Sequence, residues 1–308
     1  MNAPGSSIPK TVIGAFGALR RALDETASPL KRRILRDAVR DALDRNAVDL
    51  SLEHGRIVAN TWSVTGQIYR GTHFLIERLR HRDLGSEHAL KRIVPDHARD
   101  PLFRGLLLRE AAHHLLIRHP TVLFAQALLR LDDGSPALLM DYRPGVSLAV
   151  LLRETPLTLQ CIHNLIARLC EALTVIHGAG MTHGDLTPSN ILLPKGRLGD
   201  AVICDFGLSG AIGEAIDGFD SLGTPGFVAP EAVLSGAPRD ARVDIFGLGA
   251  VVRACLDALP SDARGTDCAA DLLQLVRRLC ADDPAARPTS PRAVQALLET
   301  TGPRHDEK

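Results

Sequence analysis

The spacing of apolar positions changes several times along the chain. Residues 10–24 carry them at a helical period. A second helical stretch starts after Ser28-Pro29, a cap followed by a first-turn proline, with Leu30, Ile34, Leu35, Ala38 and Leu43 on one face. Residues 1–8 are small and polar and read as disordered. From residue 51 the pattern suggests strands instead. Ile57, Val58, Trp62, Val64, Ile68 and Tyr69 form runs broken by Gly66 and Gly71, and residues 89–93 form another. Residues 101–118 read as a helix, with Leu107, Ala111, Leu115 and Leu116 on one side. Two apolar runs, 121–131 and 136–142, flank the turn Asp132-Asp133-Gly134-Ser135. After Pro144-Gly145 the chain turns mostly helical, over 148–152, 157–178, 230–234, 243–259, 271–280 and 290–298. The expected organisation is a helical extension over residues 1–50, a β-rich lobe over 51–142, a helical lobe over 143–300 and a disordered tail over 301–308. A small β lobe joined to a helical lobe by one short hinge suits a nucleotide site.

Composition narrows this picture only a little. Hydrophobic residues make up 45 % of the 308 and charged residues 23 %, ordinary values for a packed domain. Lys plus Arg and Asp plus Glu are 36 each, which argues against a nucleic-acid or anionic-membrane binder. The six cysteines form no C-x-x-C pair and read as small buried residues of a reducing compartment. There is no signal-peptide pattern at the start and no run of about 18 apolar residues, so no membrane span and a cytoplasmic location are expected.

The chemistry is concentrated in a few short segments. His183-Gly184-Asp185-Leu186-Thr187-Pro188-Ser189-Asn190-Ile191-Leu192-Leu193 follows a long helical pattern. An Asp and an Asn five residues apart on a tight loop can point at one centre. Asp205-Phe206-Gly207 follows an apolar run, and Gly223-Thr224-Pro225-Gly226-Phe227-Val228-Ala229-Pro230-Glu231 comes later. These segments resemble, in order and separation, the Hanks-type (eukaryotic-like) bacterial serine/threonine protein kinase family, in a variant that lacks the arginine of H-R-D. The resemblance covers about residues 58–298. It implies an α+β, bilobal protein-kinase-like fold, here with an N-terminal helical extension. It also implies that Asp185 accepts the proton of the attacking hydroxyl, that Asn190 and Asp205 hold Mg2+, and that Thr224 hydrogen-bonds Asp185. Ala89-Leu90-Lys91 is similar to the strand whose lysine contacts the ATP phosphates, with Glu110 as its helix partner. Met140, Asp141 and Tyr142 match the hinge that meets adenine, and Ala89, Ile68 and Leu192 fall where the family sandwiches the ring. Glu231 would pair with Arg287, and Asp244 would clamp the catalytic loop from below.

The chain departs from the family in several places. The glycine-rich loop is poor. The better match makes Gly66 its final glycine, with Ile68 on the next strand; another puts Gly71 inside the loop and Ile76 on the strand. Weaker cover of the phosphates is expected, with Ser63 and Thr65 hydroxyls as substitutes. Gly184 replaces the arginine that meets an activation-loop phosphate, so activity is expected not to require that phosphate. Thr187 replaces the lysine that sits on the γ-phosphate. The His-Gly-Asp-Leu-Thr wording also resembles the small atypical kinase of the KEOPS tRNA-modification complex, which lacks the Ala-Pro-Glu segment present here. His114 stands where the family stacks an apolar residue against Phe206 and reads as a satisfied histidine. Cys204 reads as a packing residue.

The expected activity is transfer of the γ-phosphoryl group from ATP, with Mg2+, to Ser/Thr hydroxyls of a protein, possibly this one. The alternatives are a pseudokinase binding module and a kinase-fold enzyme with a small-molecule acceptor. Regulation is expected from the N-terminal helices, from a partner docked on them, or from expression.

Overall fold

The computed structural model describes residues 56–216, 223–234 and 236–300. The helices expected over 10–24 and after Ser28-Pro29, and the ends expected to be disordered, lie outside the described residues. The chain divides into two compact units, Met1–Val64 and Thr65–Lys308. The division falls inside the β-rich lobe expected over 51–142, whose residues from Thr65 on lie in the second unit together with the expected helical lobe.

In the first unit, β1 (Ile57–Val58) pairs with the start of β2 (Trp62–Arg70) through Ile57↔Ser63 and Val58↔Trp62. The second unit opens with the rest of β2, followed by β3 (Phe74–His81) and β4 (Glu87–Ile93). Helix α1 (Pro101–His114) comes next, and then β5 (Ala125–Arg130) and β6 (Pro136–Asp141). From β2 the sheet order is β2-β3-β4-β6-β5. Ala89, Leu90 and Lys91 on β4 and Ala137 to Met140 on β6 are all buried, so these central strands are covered on both faces. Helix α1 starts where Asp100 accepts from the Leu102 amide at 2.9 Å, with Pro101 in its first turn. It ends at His114, earlier than the expected residue 118.

The interruption expected at Gly66 does not occur. β2 runs through it, and a Cβ there would meet nothing within 4 Å. A glycine weakens a strand without breaking its pairing. The chain turns at Gly71, where a Cβ would lie 2.7 Å from the Tyr69 hydroxyl and whose amide donates to Phe74 O at 2.9 Å.

The helical part contains β7 (Gly145–Ser147), α2 (Leu148–Glu154), α3 (Leu159–Gly178), β8 (Met181–Thr182), β9 (Ile191–Pro194), β10 (Val202–Ile203) and β11 (Gly210–Ala211). It continues with α4 (Arg242–Asp257), α5 (Ser261–Arg264), α6 (Asp267–Leu279) and α7 (Pro291–Thr300). Two small sheets, β10-β9-β7 and β11-β8, carry the loops of the site. Helix α3 is long and apolar enough to cross a membrane by length and composition alone, although it holds no unbroken apolar run. Its Ile162, Leu165, Ile166, Leu169, Leu173 and Ile176 are packed in the main core, which accounts for its apolar character. Thr158 caps α3 by accepting from the Cys161 amide.

Candidate active site

Strand β4 brings Lys91 into the interior, and α1 brings Glu110 to meet it. Lys91 Nζ donates to Glu110 Oε1 at 2.7 Å and to Asp205 Oδ1 at 2.8 Å. Lys91 and Glu110 are buried, whereas the Asp205 side chain is 44 % exposed and open to a ligand. Burial opposes the charge on Lys91, but Asp205 and Glu110 more than offset it and hold its pKa above the ordinary value. Burial pushes Glu110 up to about 7, with Lys91 opposing. Burial also disfavours the Asp205 carboxylate, but Lys91 and the Gly207 amide outweigh it, so its pKa is lowered.

Asp205 adopts φ 67°, a left-handed conformation that disfavours any residue with a Cβ. Contacts on both sides fix it there. Its Oδ1 accepts from Lys91 and from the Gly207 amide at 3.1 Å, while the preceding Cys204 amide donates to Asn190 O at 2.9 Å. Phe206 is fully buried, stacked on His114 (centroids 4.5 Å, 24°) and met edge-on by His183 (5.2 Å, 71°). His114 is also fully buried, and its Nε2 lies in hydrogen-bond range of Leu123 O. Burial lowers its pKa to about 4, so it packs as a neutral ring.

The loop from His183 to Asn190 is held from α4. Asp244, buried on the first turn of that helix, accepts from the His183 and Gly184 amides, each at 2.8 Å. His177, at the end of α3, contacts Asp244 Oδ2 at 2.8 Å. Burial opposes the Asp244 charge, but His177 and these amides outweigh it and keep the carboxylate pKa low. Asp185 is then placed by its neighbours. Asn190 Nδ2 donates to Asp185 Oδ2 at 2.9 Å, and Thr224 donates to Asp185 Oδ1 from its hydroxyl at 3.0 Å and its amide at 3.2 Å. Glu231 and Arg287 pair, with Arg287 Nη2 2.9 Å from Glu231 Oε2, and Arg287 is buried.

Lys91, Glu110 and Asp205 thus form one bonded group and Asp185, Asn190 and Thr224 another, and the two are joined through the backbone, where the Cys204 amide donates to Asn190 O. Ala89 pairs with Met140 across β4 and β6, and Leu192 packs partly buried on the same cluster. Asp141, next to Met140, accepts from Gln126 Nε2 at 2.7 Å, and Tyr142 lies under the Arg78 guanidinium at 4.7 Å. Gly66 and Ile68 do not join this group. They lie within β2, and Ile68 is 47 % exposed. The structure follows the other alignment: the hairpin turn spans residues 71–73, and Ile76 on β3 pairs directly with Lys91. The reason is that β2 stays extended through Gly66 to Arg70 as a neighbour of β3 in the sheet, so the chain bends only after it. Thr187 is buried, with its carbonyl accepting from the Asn190 amide at 3.0 Å. Cys204 donates from Sγ to Asn190 O at 3.3 Å, and burial pushes its thiol up to about 12, far from a reactive thiolate.

The sequence pattern described as Protein kinase domain matches residues 62–263, well over half of the chain. The chain belongs to this family. This kinase domain is 31 % identical over 180 residues to a probable serine/threonine-protein kinase PknB of Corynebacterium glutamicum, covering 55 % of this chain and 27 % of that one. It is 28 % identical over 247 residues to the serine/threonine-protein kinase PknB of Mycobacterium tuberculosis, covering 71 % and 38 %. It is also 28 % identical over 219 residues to the serine/threonine-protein kinase PkaA of Streptomyces coelicolor, covering 70 % and 39 %. The chain spans less than two-fifths of the length of these relatives. Among solved structures, the Mycobacterium tuberculosis PknI kinase domain superposes with a TM-score of 0.63 at 23 % identity, over 82 % of this chain and all of that one. That likeness shows the bilobal fold.

Residues that sequence reasoning passed over also meet here. His177 braces Asp244. His113 Nδ1 lies 2.9 Å from the Ser209 hydroxyl, which donates to Phe206 O at 2.6 Å. Arg239, from the stretch before α4, reaches Leu208 O at 3.0 Å. These contacts join residues far apart in the chain, and the one local signal is a pair of glycines, Gly184 and Gly210.

Proposed function

We propose that this kinase domain transfers the γ-phosphoryl group of ATP to Ser or Thr hydroxyls of protein substrates, using Mg2+, and does so without a phosphate on its activation segment. The observation that carries this reading is the Lys91–Glu110–Asp205 group, linked through the Cys204 amide and the Asn190 carbonyl to the group of Asp185, Asn190 and Thr224.

The residues fit a divalent cation. Asn190 commits its amide nitrogen to Asp185, so its oxygen is the atom left for a metal. Asp205 uses Oδ1 for Lys91 and Gly207, which leaves Oδ2. Oxygen donors of this kind suit a hard ion. When bound, Mg2+ would neutralise phosphate charge. This chain's own residues then do the rest. Lys91, held by Glu110, offers its ammonium to the phosphates. Asp185, with Oδ1 fixed by Thr224 and Oδ2 by Asn190, orients the acceptor hydroxyl and takes its proton. The buried Thr187 offers no charge to the γ-phosphate, so slow turnover is expected.

Independence from an activation-segment phosphate rests on Gly184, which supplies no cation to receive one. Ser209 is fully buried and bonded on both sides, which leaves it closed to modification in this state. A binding module with little turnover is favoured by one feature, the glycine-poor turn at 71–73. His73 there stacks on Phe103 of α1 (centroids 4.2 Å, 16°) rather than standing free above a nucleotide.

Radiolabel transfer from ATP to generic protein substrates and to the chain itself separates the two. Intact mass should be recorded before and after phosphatase treatment. Transfer that survives phosphatase and disappears in Asp185→Ala is expected. Mg·ATP binding without Asp185-dependent transfer would leave the binding module as the function.

A further inference from the structure

Gly184 sits at φ 81°, and a Cβ there would collide with the Leu208 carbonyl and lie 3.5 Å from Arg239 Nη1. Gly210 has a related restriction. A Cβ on it would fall within 2.7 Å of Arg239 Cδ and Cζ. The Arg239 side chain therefore occupies space that both glycines leave empty. It is only 5 % exposed, and its Nη1 donates to Leu208 O at 3.0 Å. Leu208 directly follows Asp205-Phe206-Gly207. The Arg239 backbone is locked into the same segment, its amide donating to Glu214 O at 2.8 Å and its carbonyl accepting from the Gly213 amide at 2.9 Å. The pairing continues through Ala215↔Pro238 and Ile216 N to Ala237 O at 2.9 Å. A buried guanidinium is costly to desolvate and is retained where its donors fix something in place.

We propose that Arg239 is a positioning residue for phosphoryl transfer. It holds the first residues of the activation segment against the catalytic loop, in place of the arginine that the loop lacks at Gly184. The cation comes from outside the loop and meets a backbone carbonyl, so the segment is ordered without a phosphate. Leu208 thereby fixes Gly207, whose amide aligns the Asp205 carboxylate. Part of the inference rests on the kinase reading, namely the effect on turnover; the effect on segment order does not.

The test uses the full chain with Arg239→Leu, Arg239→Lys, Gly210→Ala and the double variant Arg239→Leu/Gly210→Ala. Steady-state transfer and amide hydrogen exchange are measured together. For Arg239→Leu, kcat is expected to fall about tenfold or more while KM for ATP stays within about twofold. Exchange at residues 209–216 is expected to rise about tenfold. Gly210→Ala pushes on the guanidinium with Arg239 still present and should reproduce both effects. The double variant should be no worse than Arg239→Leu alone, because the new methyl enters vacated space. Arg239→Lys should fall between the leucine variant and the wild type. If Arg239→Leu does not fold, Gly210→Ala and Arg239→Lys carry the test. Unchanged local exchange and unchanged kcat per folded molecule in these variants, even with a lower Tm, would overturn the inference. If the wild type transfers no phosphate, the functional reading fails, and exchange over 209–216 still decides the role of Arg239.

Discussion

His114 shows how far burial can change a residue's meaning. As a residue type it is a titrating group; sealed against Phe206 it is a flat apolar ring with one hydrogen bond. Its folded pKa of about 4 lies below the ordinary histidine value of 6.5. Between these values the unfolded chain binds more protons than the folded one, so stability falls as pH drops from 6.5 towards 4. The loss for this one group is on the order of 3 kcal/mol. Thermal melts should show a Tm that declines over this range, with a smaller decline in His114→Leu. Glu110 is shifted the other way, up to about 7. The ionised form is the one that pairs with Lys91, so kcat/KM for ATP should fall as pH drops below about 7. Glu110→Gln should lower the plateau and flatten that limb in a pH–rate profile. If Asp185 takes the acceptor proton as proposed, Asp185→Ala should lower kcat by about 10²- to 10⁴-fold with little change in melting temperature.

Among the elements, the catalytic loop owes its shape to a helix that is remote in sequence. Asp244 satisfies two loop amides and meets His177 at once. Asp244→Ala leaves those amides unpaired in a buried place, at about 1–3 kcal/mol each. Melting should move down by several degrees and kcat should fall more than KM rises. The pair between the turn Pro230–Val233 and Arg287 makes a similar bridge. Glu231→Ala would leave a buried guanidinium without its carboxylate, a loss of about 3–5 kcal/mol measurable by urea unfolding. The long helices α1, α3, α4, α6 and α7 were legible in the sequence because apolar period and caps such as Asp100 and Thr158 are local signals, whereas the helix expected over 230–234 is a single 3-10 turn, Pro230–Val233. The β2–β3 turn was not. Gly66 and Gly71 look alike as letters, and only strand pairing shows that one is passed through and the other turned upon.

At the scale of the molecule, Lys91 on β4, Glu110 on α1 and Asp205 after β10 meet only when the β-rich and helical parts close on each other. A ligand that bridges these residues should stabilise the whole second unit. Saturating Mg·ATP at about 100 times its Kd adds roughly 2.7 kcal/mol. Differential scanning fluorimetry should therefore show a clear rise in Tm with Mg·ATP, absent in Lys91→Ala and Asp205→Asn. A rise of the same size in both variants would mean that the nucleotide binds elsewhere.

The sequence alone determined the family and the bilobal plan, and it picked out Lys91, Glu110, Asp185, Asn190, Asp205 and Thr224 as candidates, because these are short segments with their own order and spacing. Tertiary structure decided the rest. It moved the loop from Gly66 to the turn at Gly71, because cross-strand pairing sets where a hairpin folds. It set how far burial shifts His114 and Cys204, already read as packing residues, because desolvation depends on what surrounds a group. It also placed Arg239 in the space beside Gly184, a contact between residues 55 positions apart that no local pattern encodes.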